Sequence, residues 1–133
     1  MVLLDTNILS EPLRKTPHRK VYTKLGVQAG NFAASMISLS ELRFGAMLHP
    51  ESENFWSKIE AVVLPLVHWI EIDRDIALQA ADLQAHLHRK GRITGTNDCL
   101  IAATALIKDW VLVTRNTAHF KQMPGLQLEN WFK

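Results

Sequence analysis

The form of the apolar runs constrains this chain more than any other feature. Val2-Leu3-Leu4, Phe32 to Ile37, Val67 to Ile72 and Trp110 to Thr114 are short and largely continuous in apolar character, with little strict alternation. Strands apolar on both sides have to be covered on both sides. Stretches with helical spacing separate these runs, so each strand-to-strand connection carries a helix. The expectation is an α/β fold: a three-layer sandwich with a short, mostly parallel central sheet and helices on both faces.

The helical stretches carry their own boundaries. Asn7 to about Arg14 predicts a short helix limited by Pro12, and Pro17 to about Gln28 a basic one stopped by Gly30. Ser38 and Glu41 have capping-box spacing ahead of Leu42, Gly45 and Ala46, with Pro50 as the stop. Glu51 to Val62 sets Phe55, Ile59 and Val62 on one helical face. Asp73 to Lys90 is the clearest amphipathic helix, with Ile76, Ala80, Leu83 and Leu87 in register and Gly91 as its end. Thr96 to Lys108 is apolar almost all round, which predicts a buried helix. A turn at Pro124-Gly125 and a short strand near Leu126 to Leu128 come last.

At 133 residues, 47% hydrophobic and 21% charged, the chain predicts one ordered domain over 1–133. No apolar run approaches the roughly 18 residues of a membrane helix; the nearest, 61–67, contains Pro65. The N-terminus has no signal-peptide pattern, so the cytoplasm is the expected location. Cys99 stands alone, which leaves no intramolecular disulfide and no thiolate metal cluster. The 15 Lys+Arg nearly balance the 13 Asp+Glu, yet the charge is unevenly spread. No acid falls between Pro12 and Ser40, where Arg14, Lys15, Arg19, Lys20 and Lys24 lie. Arg89, Lys90 and Arg92 form a second basic stretch beside His86 and His88. Such runs are either solvated helix faces or phosphate-contact surfaces, and composition does not choose between them.

The acidic residues fall in a pattern on this map. Asp5 directly follows the first strand, and Glu41 opens the helix after the second. Asp98 lies in the first turn of the buried helix, and Asn116 comes two residues after Thr114. Ligands of open α/β sheets bind beyond the carboxyl ends of the strands. Each residue also has a local explanation. Asp5 or Asn7 can cap a helix, Glu41 can complete the Ser38 capping box, Asp98 can answer the helix dipole, and Asn116 can make a turn. Their conjunction is harder to explain locally, because three carboxylates in a partly dry cleft repel one another. A cation removes that repulsion, and an all-oxygen donor set suits Mg²⁺ or Mn²⁺. An open cation site beside helix N-termini and basic stretches makes a nucleic-acid phosphodiester a natural substrate.

These residues resemble a known family. Leu3-Leu-Asp-Thr-Asn-Ile-Leu-Ser10 resembles the opening of PIN-domain ribonucleases, and more narrowly of VapC-type toxins of bacterial toxin–antitoxin pairs and of FitB-like proteins. Ile37-Ser-Leu-Ser-Glu-Leu-Arg-Phe-Gly-Ala46 is similar to the second acidic motif of the family. Asn97-Asp-Cys-Leu-Ile-Ala-Ala103 and Val113-Thr-Arg-Asn-Thr-Ala-His-Phe120 are similar to the third and fourth, and Pro124 to Trp131 to its usual ending. The resemblance covers the whole chain in the right order. It implies a PIN-like sandwich.

The same resemblance implies that Asp5, Glu41 and Asp98 are metal-binding and catalytic carboxylates. Asn116 takes the fourth catalytic position, often Asp in the family; its amide oxygen can ligate but adds no charge. Thr6, Asn7 and Thr114 would support these residues by hydrogen bonding, while Arg43 and Arg115 would meet phosphate or remain solvated. His119 falls where many relatives carry an acid, or is a surface turn histidine. The implied activity is Mg²⁺- or Mn²⁺-dependent hydrolysis of RNA, commonly tRNA, with no covalent enzyme intermediate, inhibiting translation. The implied partners are a second copy and a cognate VapB-type antitoxin that covers the site and carries any operator-DNA binding; Phe44, Phe55 and Trp56 are candidates for its groove, or for core. A non-catalytic RNA-binding or interaction module on the same scaffold, and a FitB-like subunit of a DNA-binding complex, are the alternatives. A phosphatase or receiver domain also places Asp after its first strand, but Asn7 stands where such a phosphatase has its second Asp.

Overall fold

The computed structural model describes residues 1–27 and 30–133. Five strands, β1 (Val2–Leu4), β2 (Phe32–Ser35), β3 (His68–Ile70), β4 (Val111–Val113) and β5 (Leu128–Glu129), form one sheet in the order β3-β2-β1-β4-β5. Every pairing in it is parallel. The helices are α1 (Thr6–Leu9), α2 (Arg19–Val27), α3 (Met36–Leu48), α4 (Ser52–Val62), α5 (Arg74–Arg89), α6 (Thr96–Lys108) and α7 (Thr117–Phe120).

Successive strand residues point to opposite faces, and the continuous apolar runs feed both. Leu3, Ala33 and Leu112 join Ile76, Ala80, Leu83 and Leu87 of α5 and Ile101, Ala102 and Ala105 of α6 in one core. Leu4, Ala34 and Val113, their chain neighbours, join Ile8, Leu9, Val21, Leu25, Leu42, Ala46 and Ile59 in the other. Phe32 seals the second core with its ring edge against Trp131, centroids 5.5 Å apart. The three layers expected from the runs are therefore present. Among the described residues no helix is long and apolar enough to cross a membrane.

Several local expectations are corrected. The second strand stops at Ser35, and helix α3 starts at Met36 instead of Ser38. The cap is Ser35, whose hydroxyl accepts the Ile37 N–H at 3.0 Å, so Ser38 and Glu41 form no capping box and Glu41 sits in the second turn. The helix expected over Asn7 to Arg14 divides into α1 and a 3-10 turn over Glu11–Leu13, where Pro12 is compatible only with a first turn. Val62 is exposed; its neighbour Val63 is the buried one. Ile107 also reaches solvent at 41% exposure, so α6 is buried on most of its circumference but not all. The last strand lies at Leu128–Glu129, just beyond the expected one, and the third spans His68–Ile70 only. The expected end of the basic helix near Gln28 lies outside the described residues. Gly91 follows the end of α5 and Gly125 lies in its expected turn, both in the left-handed region, at φ +71° and +78°.

Candidate active site

The chain builds outward from β1 to β2 and β3 on one side, then returns to place β4 and β5 on the other. Strand order reverses at β1, so a crevice opens beyond the carboxyl ends of β1 and β4. Asp5 follows β1 and Thr114 follows β4, which places both at its floor. The Thr114 hydroxyl, wholly buried, donates to Asp5 Oδ2 at 2.8 Å and accepts the Asn116 N–H at 3.0 Å. One side chain thus locks Asp5 to the start of the loop that carries Asn116.

Asp5 is further fixed by the Thr6 N–H on Oδ1 at 2.8 Å and by Asn7 Nδ2 on Oδ2 at 3.3 Å. Asn7 in turn accepts the Arg115 N–H at 3.2 Å, a second tie across the crevice. Glu41 is held by Thr6, whose hydroxyl donates to Oε1 at 2.7 Å. That hydroxyl has one proton, so the 2.9 Å contact with Ser38 Oγ is one in which Ser38 donates. Asp98 Oδ2 lies 3.0 Å from His119 Nε2, off the line of a hydrogen bond. Asp98 and Asp5 belong to different layers, and the crevice is where those layers meet.

The charges of Asp98 and Glu41 reach Asp5. Burial pushes the Asp5 carboxyl above the ordinary aspartate range, the charges of Asp98 and Glu41 add to the rise, and the Thr114 and Thr6 hydrogen bonds offset part of it. Asp98 also helps burial push up the Cys99 thiol, which keeps that sulfur neutral and inert. Among the described residues no group of three His, Cys, Asp or Glu side chains is placed to hold a metal ion between them. An open, all-oxygen cluster is nonetheless what a strongly hydrated ion takes, since Mg²⁺ keeps several waters and uses one or two carboxylates. Asp98 Oδ1 and Glu41 Oε2 accept no hydrogen bond from the described residues, and Asp5 Oδ1 accepts only one. The donor set fits a hard divalent cation.

The remaining expected residues divide. Asn116 is exposed, tied to Asp5 only through Thr114. Arg115 spreads its guanidinium over the Phe132 ring, 4.7 Å from its centroid. Arg43 does the same on Trp56 at 4.7 Å, and the two line a separate cleft with Met47 and Glu53. Glu11 is unassigned in the sequence, and Ser38 reads there only as a helix cap. Ser38-x-x-Glu41 spacing puts both residues on one helix face, which is the signal that could have paired Ser38 with Thr6. Thr114→Val keeps the side-chain volume and removes both hydrogen bonds. It is expected to cost about 1–2 kcal/mol of stability, read as a lower urea midpoint; an unchanged midpoint would show that the bridge carries no weight.

Residues 2–126 match the PIN domain. The chain is 36% identical over 133 residues to Ribonuclease VapC2 of Rickettsia felis, covering 98% of both proteins. It is 30% identical over 129 residues to the tRNA(fMet)-specific endonuclease VapC of Shigella flexneri, covering 97% of this chain and 96% of that one. Among solved structures, VapBC2 from Rickettsia felis bound to a DNA fragment from its promoter superposes with a TM-score of 0.88 at 35% identity, over 98% of this chain and 99% of that one. FitAcB from Neisseria gonorrhoeae gives 0.88 at 29% identity over 99% of both. The parallel five-stranded sheet with helices on both faces agrees with these matches. The chain belongs to the PIN-domain family and, within it, to the VapC-type ribonucleases.

Proposed function

We propose that this protein is a divalent-metal-dependent endoribonuclease toxin that hydrolyses phosphodiester bonds of RNA, tRNA being the favoured substrate, and so inhibits translation. The observation that carries this reading is the facing of Asp5, Glu41 and Asp98 at the sheet's switch point, with Asp5 and Glu41 locked by threonine hydroxyls. These carboxylates are the residues that would hold Mg²⁺ or Mn²⁺, with Asn116 beside them as the uncharged fourth position. A bound ion supplies Lewis-acid stabilisation of charge on a phosphoryl oxygen and a more acidic water. Thr114, Thr6 and Asn7 keep the Asp5 and Glu41 oxygens oriented before substrate arrives, a preorganisation such sites depend on. An RNA-binding module without catalysis has no use for clustered anions facing a polyanion.

The partners of this reading are a cognate VapB-type antitoxin, which brings any operator DNA, and a second copy of the chain, with the 1–133 unit acting as one domain in the cytoplasm. The relatives support it: one is named a tRNA(fMet)-specific endonuclease, and the solved neighbours are VapBC and FitAB structures. Incubating the purified protein with bulk tRNA and Mn²⁺, then sequencing new ends, tests it. A small set of discrete cut sites is expected; intact RNA under those conditions would overturn the reading.

A further inference from the structure

The basic stretch from Arg14 to Lys24 takes no part in holding the carboxylates, and its shape points to a second role. Two adjoining cavities share Arg14. The first, about 460 Å³, opens directly beside the acidic cluster: Thr6 and Glu41 form one wall, and Leu13, Leu42 and Phe55 supply apolar surface. His49 stacks on Phe55 there, rings 4.6 Å apart and 11° from parallel, and its Nδ1 accepts the Glu51 N–H, which leaves Nε2 as the donor. The second cavity, about 450 Å³, is lined by Arg14, Lys15, Arg19 and the 59%-exposed Tyr22, with no acid among its lining residues. Between them the chain is clamped from below. Buried Glu11 accepts from the Arg14 guanidinium at 3.4 Å and from the His18 N–H at 2.7 Å, holding both ends of the 14–18 loop.

We propose that an unpaired RNA strand runs through both cavities, the base next to the scissile phosphodiester entering the first and the following backbone crossing Arg14 onto Lys15 and Arg19, with Tyr22 stacking a later base. This rests on the ribonuclease reading above and names its substrate track. The first cavity is apolar and stacked, as sites for splayed bases are, and lies in the size range of small-ligand pockets. The second supplies cations and an aromatic face, the combination that tracks single strands. Duplex RNA hides its base edges and cannot fill the first.

Gly45 makes the test clean. It lies in helical backbone on the wall of the first cavity, and a Cβ there meets nothing within 4 Å. Gly45→Leu therefore starts its side chain in open space on the cavity wall and raises helix propensity. The probe is a fluorescein-labelled RNA hairpin with an unpaired loop, bound to full-length protein carrying Asp98→Asn and followed by anisotropy. Gly45→Leu is expected to weaken binding by about tenfold or more with no fall in thermal midpoint. Arg14→Gln with Lys15→Gln is expected to weaken binding and to lower the slope of log K against log salt by about 1–2. Parent-like affinity in a folded Gly45→Leu protein overturns the proposal. So does retained RNA affinity with lost binding of a VapB-type antitoxin, which would assign the cavity to a protein partner, and so does a hairpin that never binds. Binding that responds as described in a protein whose parent cuts no RNA would support the track and sink the ribonuclease reading instead.

Discussion

Asp98→Asn is expected to slow RNA cleavage by about 10³-fold while the thermal midpoint stays within about 2 °C of the parent. The substitution keeps the shape and removes one of the three charges that a divalent cation would answer. Two opposing effects keep stability level. Removing the charge relieves the repulsion that helps raise the Asp5 carboxyl, and it also removes an anion from the first turn of α6, where the helix dipole favours one. The Asp98 side chain is 37% exposed, so water screens both effects to a few tenths of a kcal/mol. Cleavage by the folded variant at the parental rate would remove Asp98 from the active site.

Metal removal gives the second large effect. EDTA is expected to abolish cleavage, and Mg²⁺ or Mn²⁺ to restore it; cleavage that survives EDTA would sink the metal mechanism. Calorimetry supplies a readout independent of activity. An ion at 100 times its Kd adds about 2.7 kcal/mol, or about 10 °C in midpoint for a chain of this size. The pH dependence has a definite sign. The folded Asp5 carboxyl is raised above its unfolded value, so without metal its contribution to stability is complete below the ordinary aspartate range. That contribution is lost as pH rises through the folded value. The ion needs the ionised carboxylate, so the gain in midpoint on adding metal should shrink as pH falls toward the carboxylate range. A gain independent of pH would place the ion away from Asp5.

Much of the architecture was legible because burial on both faces leaves a direct mark on strand sequence. Val2-Leu3-Leu4 and Val111-Leu112-Val113 alternate between the two cores although every residue is apolar, and no other arrangement accounts for such runs as simply. Helices α5 and α6 kept their expected spans to within a residue; Gly91, the expected stop of α5, acts locally, and α6 ends ahead of Asp109 in the left-handed region. The α3 boundary was less legible. Ser35 and Ser38 are both competent caps, and the choice fell to the β2–β3 pairing, which runs out to Ser35 opposite Ile70 and leaves that hydroxyl at the helix mouth.

The sequence by itself determined the three carboxylates, the parallel sandwich and the unequal spread of charge, since each depends on residue type and local spacing. Only the tertiary structure decided how those charges are used. Asp5 lies 109 positions from Thr114, and Thr6 lies 35 from Glu41, so neither hydrogen bond has any trace in local pattern. Arg43 illustrates the reverse: two residues from Glu41 in sequence, its guanidinium is on Trp56 in another cleft, because neighbours on a helix point about 100° apart per residue. The basic stretch at 14–24 could be read as a solvated face until folding set Arg14 between two cavities and Glu11 beneath it. Chain order supplies the charges, and the meeting of β1 with β4 decides which of them face one another.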